Sequence, residues 1–373
     1  MSESMSSISN LARDSVKALV PYASARLSMS GGSVWLNANE NALAPEYQLN
    51  GSFNRYPDCQ PPALIAAYAA YAGVAAEQVL VSRGADEGIE LLIRSFCEPG
   101  SDNIVICPPT YGMYAISAQS NQVGRTVVPL TAELTLDVAA IKQSQQTKLV
   151  FICSPNNPTG DLIPREQIID LLEFYRDSAL VVVDEAYIEF VPEASTVDLL
   201  AQYPNLVILR TLSKAFALAG LRCGFTLASP DVISALKKMI APYPIAAPVA
   251  EIATQALSVT GQQRMRQSVA TINELRTAFS RFAASLPQVR RVFNSNANYV
   301  LLGVDDAAAW VQGIAAQGIL IRNQSSQLGL ERLGCTQVVR VSIGSPAEMT
   351  LLEQAIQTFC AQQATTTRSS GEQ

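Results

Sequence analysis

From about residue 62 to residue 240, short apolar runs alternate with stretches whose apolar residues recur at helical spacing. Four of the runs are Ile104–Ile106, Leu149–Ile152, Leu180–Val183 and Leu206–Leu209. Runs this short and this apolar are typical of strands whose two faces are both covered by helices. The alternation therefore predicts an α/β fold, with a mostly parallel sheet between layers of helices.

Helix and strand patterns also set the expected domain limits. The first two helices have their apolar positions at Leu64, Ile65, Tyr68 and Tyr71, and at Ile89, Leu92, Ile93 and Phe96, with a strand at Gln78–Val81 between them. After about residue 245 a long helix is followed by short strands near Tyr299–Leu302, Ile319–Ile321 and Val338–Val341, which predicts a smaller α+β domain. We expect an N-terminal segment at 1–50 that packs with this domain, a large domain at 51–245, the small domain at 246–363, and a disordered tail at 364–373.

The chain contains no histidine, and this excludes several enzyme classes together. Ser-His-Asp hydrolases, Cys-His proteases and zinc sites with histidine ligands all need an imidazole. The seven cysteines form no C-x-x-C pair and lie mostly in apolar surroundings, so we interpret them as reduced core residues and expect no metal site. Proton transfer would then depend on lysine, tyrosine, carboxylates or a cofactor.

A net charge of −6 argues against a nucleic-acid-binding surface, which needs a concentrated basic face. No apolar run approaches the roughly 20 residues that span a bilayer, and the N-terminus lacks an apolar signal core. We therefore expect a soluble cytoplasmic protein that binds no membrane.

Each predicted strand of the large domain ends in a polar or glycine-containing turn. In an open α/β sheet, ligands bind beyond the carboxyl ends of the strands, so these turns should face one crevice. The four turns are Ser82–Asp86, Ser154–Gly160, Asp184–Tyr187 and Thr211–Lys214.

Lys214 and Asp184 are the strongest candidates for chemistry in these turns. A lysine at a strand end, beside small residues and another cation, can be desolvated and become nucleophilic, although a solvated surface lysine is the better interpretation of Lys214 alone. Asp184 ends an apolar strand and would be costly to bury without a cation. The pyridinium nitrogen of pyridoxal 5′-phosphate is such a cation, and the alternative for Asp184 is a helix cap.

Other turn residues complete a site for this cofactor. Asn157 and Tyr187 could donate to the ring oxygen, and Tyr111 could stack on the ring, although Asn-Pro is also a common turn signal and Tyr111 could be a core aromatic. A phosphate needs backbone donors at a helix start and a cation. The residues that could supply them are Gly84, Ala85 and Asp86 at the helix start, with Ser213 and Arg222 beside the lysine.

The ordered set of motifs resembles the fold-type-I aminotransferases, and more narrowly the family of histidinol-phosphate aminotransferases of enteric-type bacteria. The resemblance runs from Leu11 to about Cys360 and also includes Leu36–Glu40, Asn54–Pro57 and Val339–Val341. It implies a large domain with a seven-stranded sheet and pyridoxal phosphate bound to Lys214 as a Schiff base, with Asp184 at the ring nitrogen. It also implies a homodimer in which the N-terminal segment packs against the partner subunit and Tyr56 reaches the partner's cofactor phosphate.

The same resemblance implies the substrates. Histidinol phosphate would give its amino group to 2-oxoglutarate, with glutamate as a product, and the anionic end of each substrate would lie near Arg340, Arg322, Tyr22 and Asn39. A guanidinium binds carboxylate or phosphate in a bidentate manner, although either arginine could instead be a surface charge. One departure from the family is Ala42-Leu43 after Asn41, where a proline is frequent.

Three alternatives remain at this point. A phosphothreonine-type decarboxylase and an aromatic aminotransferase would share the fold and the cofactor. The third is a non-catalytic ligand sensor, in which this fold is fused to a DNA-binding module. The roughly 60 residues before the sheet are too few and insufficiently basic for such a module, which disfavours the sensor.

Overall fold

The computed structural model describes residues 12–20, 29, 31–49 and 53–370. A short helix, α1 (Asp14–Lys17), and a short strand, β1 (Val34–Trp35), come first. A seven-stranded sheet follows. Its strands are β2 (Val79–Ser82), β3 (Asn103–Ile106), β4 (Gly124–Val127), β5 (Thr147–Cys153), β6 (Leu180–Asp184), β7 (Leu206–Thr211) and β8 (Gly224–Ala228). The order across the sheet is β2-β8-β7-β6-β5-β3-β4.

The sheet is parallel except for β8, which runs antiparallel to both of its neighbours, β2 and β7. Its central strands are apolar on both faces because helices cover both. Val181 and Val183 of β6 belong to the core on one face, and Val182 between them belongs to the core on the other. The predicted α/β fold with a mostly parallel seven-stranded sheet is confirmed.

Five helices are interleaved with these strands: α2 (Pro62–Ala72), α3 (Ala85–Phe96), α4 (Met113–Ser120), α5 (Val138–Lys142) and α6 (Arg165–Phe174). Short 3₁₀ turns occupy Ala76–Gln78, Ile188–Phe190, Pro192–Ala194, Val197–Ala201 and Ala219–Leu221. The apolar residues predicted to lie on α2 and α3 are on those helices. Leu64 and Ile89 have no exposed surface, as expected for the face of each helix that packs against the core.

The C-terminal part begins with α7 (Pro230–Met239), α8 (Ala247–Ala256) and α9 (Val259–Ala284). The elements that follow are β9 (Val289–Val292), β10 (Tyr299–Val304), α10 (Ala307–Ala315), β11 (Ile319–Leu320), β12 (Arg322–Asn323), a 3₁₀ turn at Leu330–Leu333, β13 (Val338–Ser342) and α11 (Pro346–Ser370). Four of these strands form an antiparallel sheet in the order β12-β13-β10-β9, and β1 pairs in parallel with β11. The predicted domain limits stay predictions.

Two features of the fold matter for the site. Strands β5, β6 and β7 are neighbours and run parallel. Their last residues, Cys153, Asp184 and Thr211, therefore lie at the same edge of the large sheet. The small sheet carries Arg340 on β13 and Arg322 on β12, directly across from each other. Within the described residues, no helix is both long enough and apolar enough to cross a membrane.

Candidate active site

A cavity of about 510 Å³ lies at the carboxyl edge of the large sheet, between that sheet and the small one. Most of the residues predicted from the sequence to form a site line this cavity. They are Asn39, Ala85, Asp86, Tyr111, Asn157, Asp184, Tyr187, Ser213, Lys214, Arg222, Arg322 and Arg340. The fold thus brings residues from opposite ends of the chain together around one space.

Lys214 is held in the turn that follows β7. The Thr211 hydroxyl organises this turn, because its oxygen accepts from the Ser213 backbone N–H at 3.1 Å and lies 2.9 Å from the Ser213 hydroxyl. The Lys214 Nζ lies 3.5 Å from the carbonyl oxygen of Ala38. Burial, together with the positive charge of Arg340, lowers the pKa of Lys214 to about 8. A substantial fraction of this amine is therefore neutral and nucleophilic slightly above neutral pH.

Asp184 is the last residue of β6 and is only 3% exposed. Its Oδ2 accepts a hydrogen bond of 2.6 Å from the Tyr114 hydroxyl, and its Oδ1 accepts one of 3.1 Å from the Ala186 backbone N–H. Burial raises the pKa of Asp184 to about 6, against the effect of these two donors. Within the described part of the chain it forms no ion pair, so the cavity offers a buried carboxylate to a cation of suitable size.

Tyr187 and two asparagines form a hydrogen-bonded group on the cavity wall. The Tyr187 phenol oxygen accepts from Asn39 Nδ2 at 3.0 Å and from Asn157 Nδ2 at 3.4 Å. Because it accepts from both amides, its own hydrogen is available for an oxygen in the cavity. Asn39 has a left-handed backbone with φ of 53°, and the Ser342 hydroxyl holds it by accepting from its backbone N–H at 2.8 Å.

The N-terminus of α3 forms another part of the cavity. Ala85 and Asp86 begin the helix, and Gly84 before them makes no side-chain cap, which leaves helix N–H groups for an anion. Gly84 has φ of +81°, and a Cβ there would lie 2.7 Å from Nη2 of Arg222. This position therefore needs glycine, both for its backbone conformation and for the close approach of the guanidinium.

The side chain of Asp86 connects two other residues of the predicted site. Its Oδ1 accepts from the Tyr111 hydroxyl at 2.8 Å, and its Oδ2 lies 3.3 Å from Nη2 of Arg222. Tyr111 is thereby fixed at the cavity wall, and Arg222 is held beside the helix start. Arg222 itself has a left-handed backbone, with φ of 56°.

Arg340 is a buried cation with spare hydrogen-bonding capacity. It is 7% exposed, and it donates from Nη1 to Asn157 Oδ1 at 2.6 Å and from Nη2 to the carbonyl oxygen of Asn37 at 3.2 Å. Its Nε is buried and has no partner within the described residues. An unsatisfied guanidinium nitrogen, with Arg322 on the adjacent strand lining the same cavity, fits an anionic ligand.

Some predicted residues lie elsewhere. Tyr22 is outside the described residues. Gly84 lies beside the cavity wall rather than in it, and Tyr56 is 81% exposed, where its ring stacks on Tyr243 at 4.4 Å. Tyr56 therefore does not reach the cavity of its own chain.

The sequence patterns missed several residues that the fold brings to the site. Tyr114 binds Asp184, and the cavity wall also includes Gln119, Gln324 and Gln327. Nothing in the local sequence connects Tyr114 of α4 with Asp184. The glutamines have no local pattern that distinguishes them from surface residues.

The donor set fits pyridoxal phosphate. Asp184 suits a cationic ring nitrogen, Tyr187 and Asn157 suit a ring oxygen, and Lys214 is the amine of the cavity wall. The start of α3 with Arg222 and Ser213 suits a phosphate. Two further cations of the cavity wall, Arg340 and Arg322, suit the anionic end of a substrate.

Comparison with known proteins points in the same direction. A family model described as aminotransferase class I and II matches residues 33–356. The histidinol-phosphate aminotransferase of Aeromonas hydrophila subsp. hydrophila is 56% identical over 345 residues, which cover 92% of this chain and 96% of that protein. The histidinol-phosphate aminotransferase of Pectobacterium atrosepticum is 53% identical over 357 residues, which cover 95% and 99%.

Solved structures share the fold. The histidinol-phosphate aminotransferase of Clostridium acetobutylicum superposes with a TM-score of 0.79 at 25% identity, over 88% of this chain and 100% of that one. That of Sinorhizobium meliloti, a complex with pyridoxal-5′-phosphate, superposes with a TM-score of 0.81 at 24% identity, over 94% and 98%. Because the Sinorhizobium meliloti protein is only 24% identical, its similarity is evidence for the fold alone.

Proposed function

The chain belongs to the class I and II aminotransferases, and among them to the histidinol-phosphate aminotransferases. From this premise we propose that it exchanges an amino group between L-histidinol phosphate and 2-oxoglutarate. The products are imidazole acetol phosphate and L-glutamate, and the reaction serves histidine biosynthesis. The observation that carries the proposal is one cavity that holds Lys214, the buried carboxylate of Asp184, and Arg340, whose Nε has no partner in the part of the chain that the structure describes.

Pyridoxal phosphate is the cofactor in this proposal, and when bound it supplies an electron sink beside the reacting carbon. Lys214 would hold it covalently, Asp184 would face its ring nitrogen, and Tyr111 would cover a face of the ring. Asn157 and Tyr187 would donate to its ring oxygen. Its phosphate would be bound by Ser213, Arg222 and the backbone N–H groups of Ala85 and Asp86.

Lys214 performs the proton transfers. In its neutral form Nζ would accept the proton that leaves the substrate's Cα, and in its charged form it would give that proton up again within the same half-reaction. The second half-reaction would run the same transfer in reverse. The environment suits both tasks, because burial and the nearby charge of Arg340 lower the pKa of Lys214 to about 8. The free amine is thus close to balance between its two protonation states near pH 8.

Arg340 and Arg322 bind the substrate's anionic end. The same pair has to accept the phosphate of histidinol phosphate in one half-reaction and a carboxylate of glutamate in the other. A planar guanidinium is suited to both, since its parallel N–H groups match two oxygens of either anion. Asn39 belongs to the N-terminal segment and is 1% exposed. Its hydrogen bonds to Ser342 and Tyr187 hold this part of the cavity wall in place.

The proposal includes a homodimer that works in the cytoplasm. Exposed Tyr56, stacked on Tyr243, is available to a second subunit, where it would contact the phosphate of the partner's cofactor. All seven cysteines are free, as is usual for proteins of a reducing compartment. Light scattering of the purified holoenzyme tests the dimer, and a monomeric active enzyme would contradict it.

The test of function separates the two half-reactions. The protein loaded with pyridoxal phosphate is first mixed with L-glutamate alone, and one equivalent of 2-oxoglutarate per site is expected without release of carbon dioxide. Histidinol phosphate and 2-oxoglutarate are then supplied together, and glutamate is measured. Carbon dioxide release would favour a decarboxylase, and an equal kcat/KM for phenylalanine would favour an aromatic aminotransferase. Either result would overturn the proposal.

A further inference from the structure

Tyr114 is a fully buried tyrosine whose hydroxyl bonds to the carboxylate of Asp184. It lies in the first turn of α4, and its ring stacks on Phe151 with centroids 4.8 Å apart and planes inclined by 14°. A phenylalanine would make the same ring contacts. The hydroxyl is therefore the feature that packing does not explain.

The hydroxyl of Tyr114 is a charge-assisted donor. Its distance of 2.6 Å to Asp184 Oδ2 lies in the range of an O–H bond to an ionised oxygen. Asp184 Oδ1 accepts from the Ala186 backbone N–H, so each oxygen is oriented by one donor. An ionised carboxylate has about four acceptor positions, which leaves acceptor capacity on both oxygens for a donor in the cavity.

Two effects compete at Asp184. Burial disfavours the charged carboxylate and raises its pKa to about 6, whereas the Tyr114 hydroxyl and the Ala186 N–H favour the charged form. The other titratable groups that act on it are Asp86, whose charge opposes ionisation, and Lys214, whose charge promotes it. Removing the Tyr114 hydroxyl would shift this balance toward the protonated acid.

The neighbouring thiol does not replace this donor. Cys153 ends β5 and lies opposite Asp184 in the strand register. Its Sγ is 3.4 Å from the carbonyl oxygen of Pro155, to which it donates, and burial raises the pKa of this thiol. Cys153 is therefore a neutral group with its hydrogen already used.

We propose that Tyr114 is a positioning residue for the cofactor: its hydroxyl keeps Asp184 ionised and fixes the carboxylate toward the cationic nitrogen of the cofactor ring. The inference rests on the proposed function, because it needs a cofactor with such a nitrogen. Tyr114 itself touches neither the cofactor nor the substrate; it acts through Asp184. Without its hydroxyl the ring nitrogen loses part of its counter-charge, and the cofactor binds more weakly.

The test is Tyr114→Phe, which removes one oxygen and keeps the ring stack. Pyridoxal phosphate is titrated into the apoprotein at a series of pH values that spans the Asp184 pKa of about 6. We expect the dissociation constant at neutral pH to rise about tenfold, the effect of losing one charge-assisted hydrogen bond. The pH below which binding weakens should move upward, because the acid protonates more readily. The visible absorbance of the bound cofactor should follow the same shift.

Tyr175→Phe is the matched control. Tyr175 is also buried, and its hydroxyl donates a 2.7 Å bond to the carbonyl oxygen of Ile141, away from the cavity. This variant should lose thermal stability as an apoprotein to a similar extent as Tyr114→Phe, and its cofactor affinity and pH midpoint should equal those of the wild type. Unchanged affinity and midpoint in Tyr114→Phe would overturn the proposal.

A double-mutant cycle separates positioning from packing. In an Asp184→Asn background, Tyr114→Phe should cause no further loss of affinity, since the group through which it acts has gone. An equal loss in both backgrounds would mean that Tyr114 acts by packing, and the inference would fail. Failure of the wild type to bind pyridoxal phosphate would instead remove the proposed function on which the inference rests.

Discussion

Arg340 donates a hydrogen bond of 2.6 Å from its Nη1 to Oδ1 of Asn157, and this bond links β13 of the small sheet to the loop that follows β5 of the large sheet. Asn157 in turn donates from Nδ2 to the Tyr187 hydroxyl. The arginine proposed for the substrate's anion and the amide proposed for the cofactor's ring oxygen are thus neighbours in one hydrogen-bonded chain. Loss of Arg340 should therefore weaken substrate binding and also disturb the orientation of the cofactor.

Arg340→Ala should lower kcat/KM for histidinol phosphate and for glutamate by about 100-fold or more, or roughly 3 kcal/mol of transition-state binding. The reason is that a buried cation is removed from the anionic end of both substrates. Steady-state kinetics with each donor measures the effect. Arg290→Ala is the control, because that exposed guanidinium pairs with Asp305 outside the cavity, and it should leave both values unchanged. A loss confined to one substrate would contradict a shared anion site.

Lys214→Ala should reduce turnover by about 1000-fold or more, because the variant lacks the amine that transfers the proton. Borohydride reduction of the loaded wild type, followed by peptide mass analysis, should find the cofactor fixed at Lys214 and nowhere else. The variant should remain folded and unlabelled. Lys237→Ala removes an exposed lysine of α7 and should behave as the wild type in both measurements. Near-normal turnover in Lys214→Ala would exclude the proposed role.

The sequence predicted the central strands well because they are apolar on both faces. Leu206–Leu209 and Leu180–Val183 lie within β7 and β6, and each observed strand ends with a polar residue that faces the cavity, Thr211 and Asp184. One edge strand, β4, was missed for the opposite reason. Residues 124–127, which form β4, alternate in burial and include an arginine, so they offer no apolar run to recognise.

Contacts between distant residues could not be read from local patterns. Tyr114 and Asp184 are 70 positions apart, and no spacing rule connects a helix position to a strand end across the sheet. Asn39 is similar, because its role depends on Ser342, 303 positions away. The resemblance to a family supplied Asn39, whereas Tyr114 emerged only when the fold brought the two side chains together.

Glu189 is a buried carboxylate outside the cavity with an incomplete set of partners. Its Oε1 lies 3.5 Å from the Tyr71 hydroxyl, and its Oε2 has no partner within the described residues. The nearby Arg210 already forms a buried ion pair with Glu185, at 2.8 Å. Burial raises the pKa of Glu189 to about 7, although the Arg210 charge opposes this.

Glu189→Gln should make the stability of the protein less sensitive to a rise in pH between about 4.5 and 7. Unfolded Glu189 ionises above its ordinary pKa of 4.5, but folded Glu189 ionises only above about 7, so its contribution to stability is present at low pH and is lost as pH rises through 7. Relative to the wild type, the variant's free energy of unfolding should gain about 2 kcal/mol between pH 5 and pH 8. Urea unfolding measures this difference. Exposed Glu193→Gln should show no gain, and the same gain there would refute the assignment to Glu189.

Gly84→Ala should weaken the binding of pyridoxal phosphate about tenfold or more. Gly84 has φ of +81°, and its added Cβ would meet Arg222 Nη2 at 2.7 Å, so the guanidinium has to move away from the start of α3, where the phosphate would bind. Gly100→Ala is a matched control, since Gly100 has φ of +78° and open space around its Cβ position. Both variants should lose roughly 1 kcal/mol or more of stability through backbone strain, seen as a lower melting temperature of the apoprotein. Only Gly84→Ala should also bind pyridoxal phosphate more weakly in a titration. Equal cofactor affinities in the two variants would show that Gly84 is needed only for the backbone conformation of the turn.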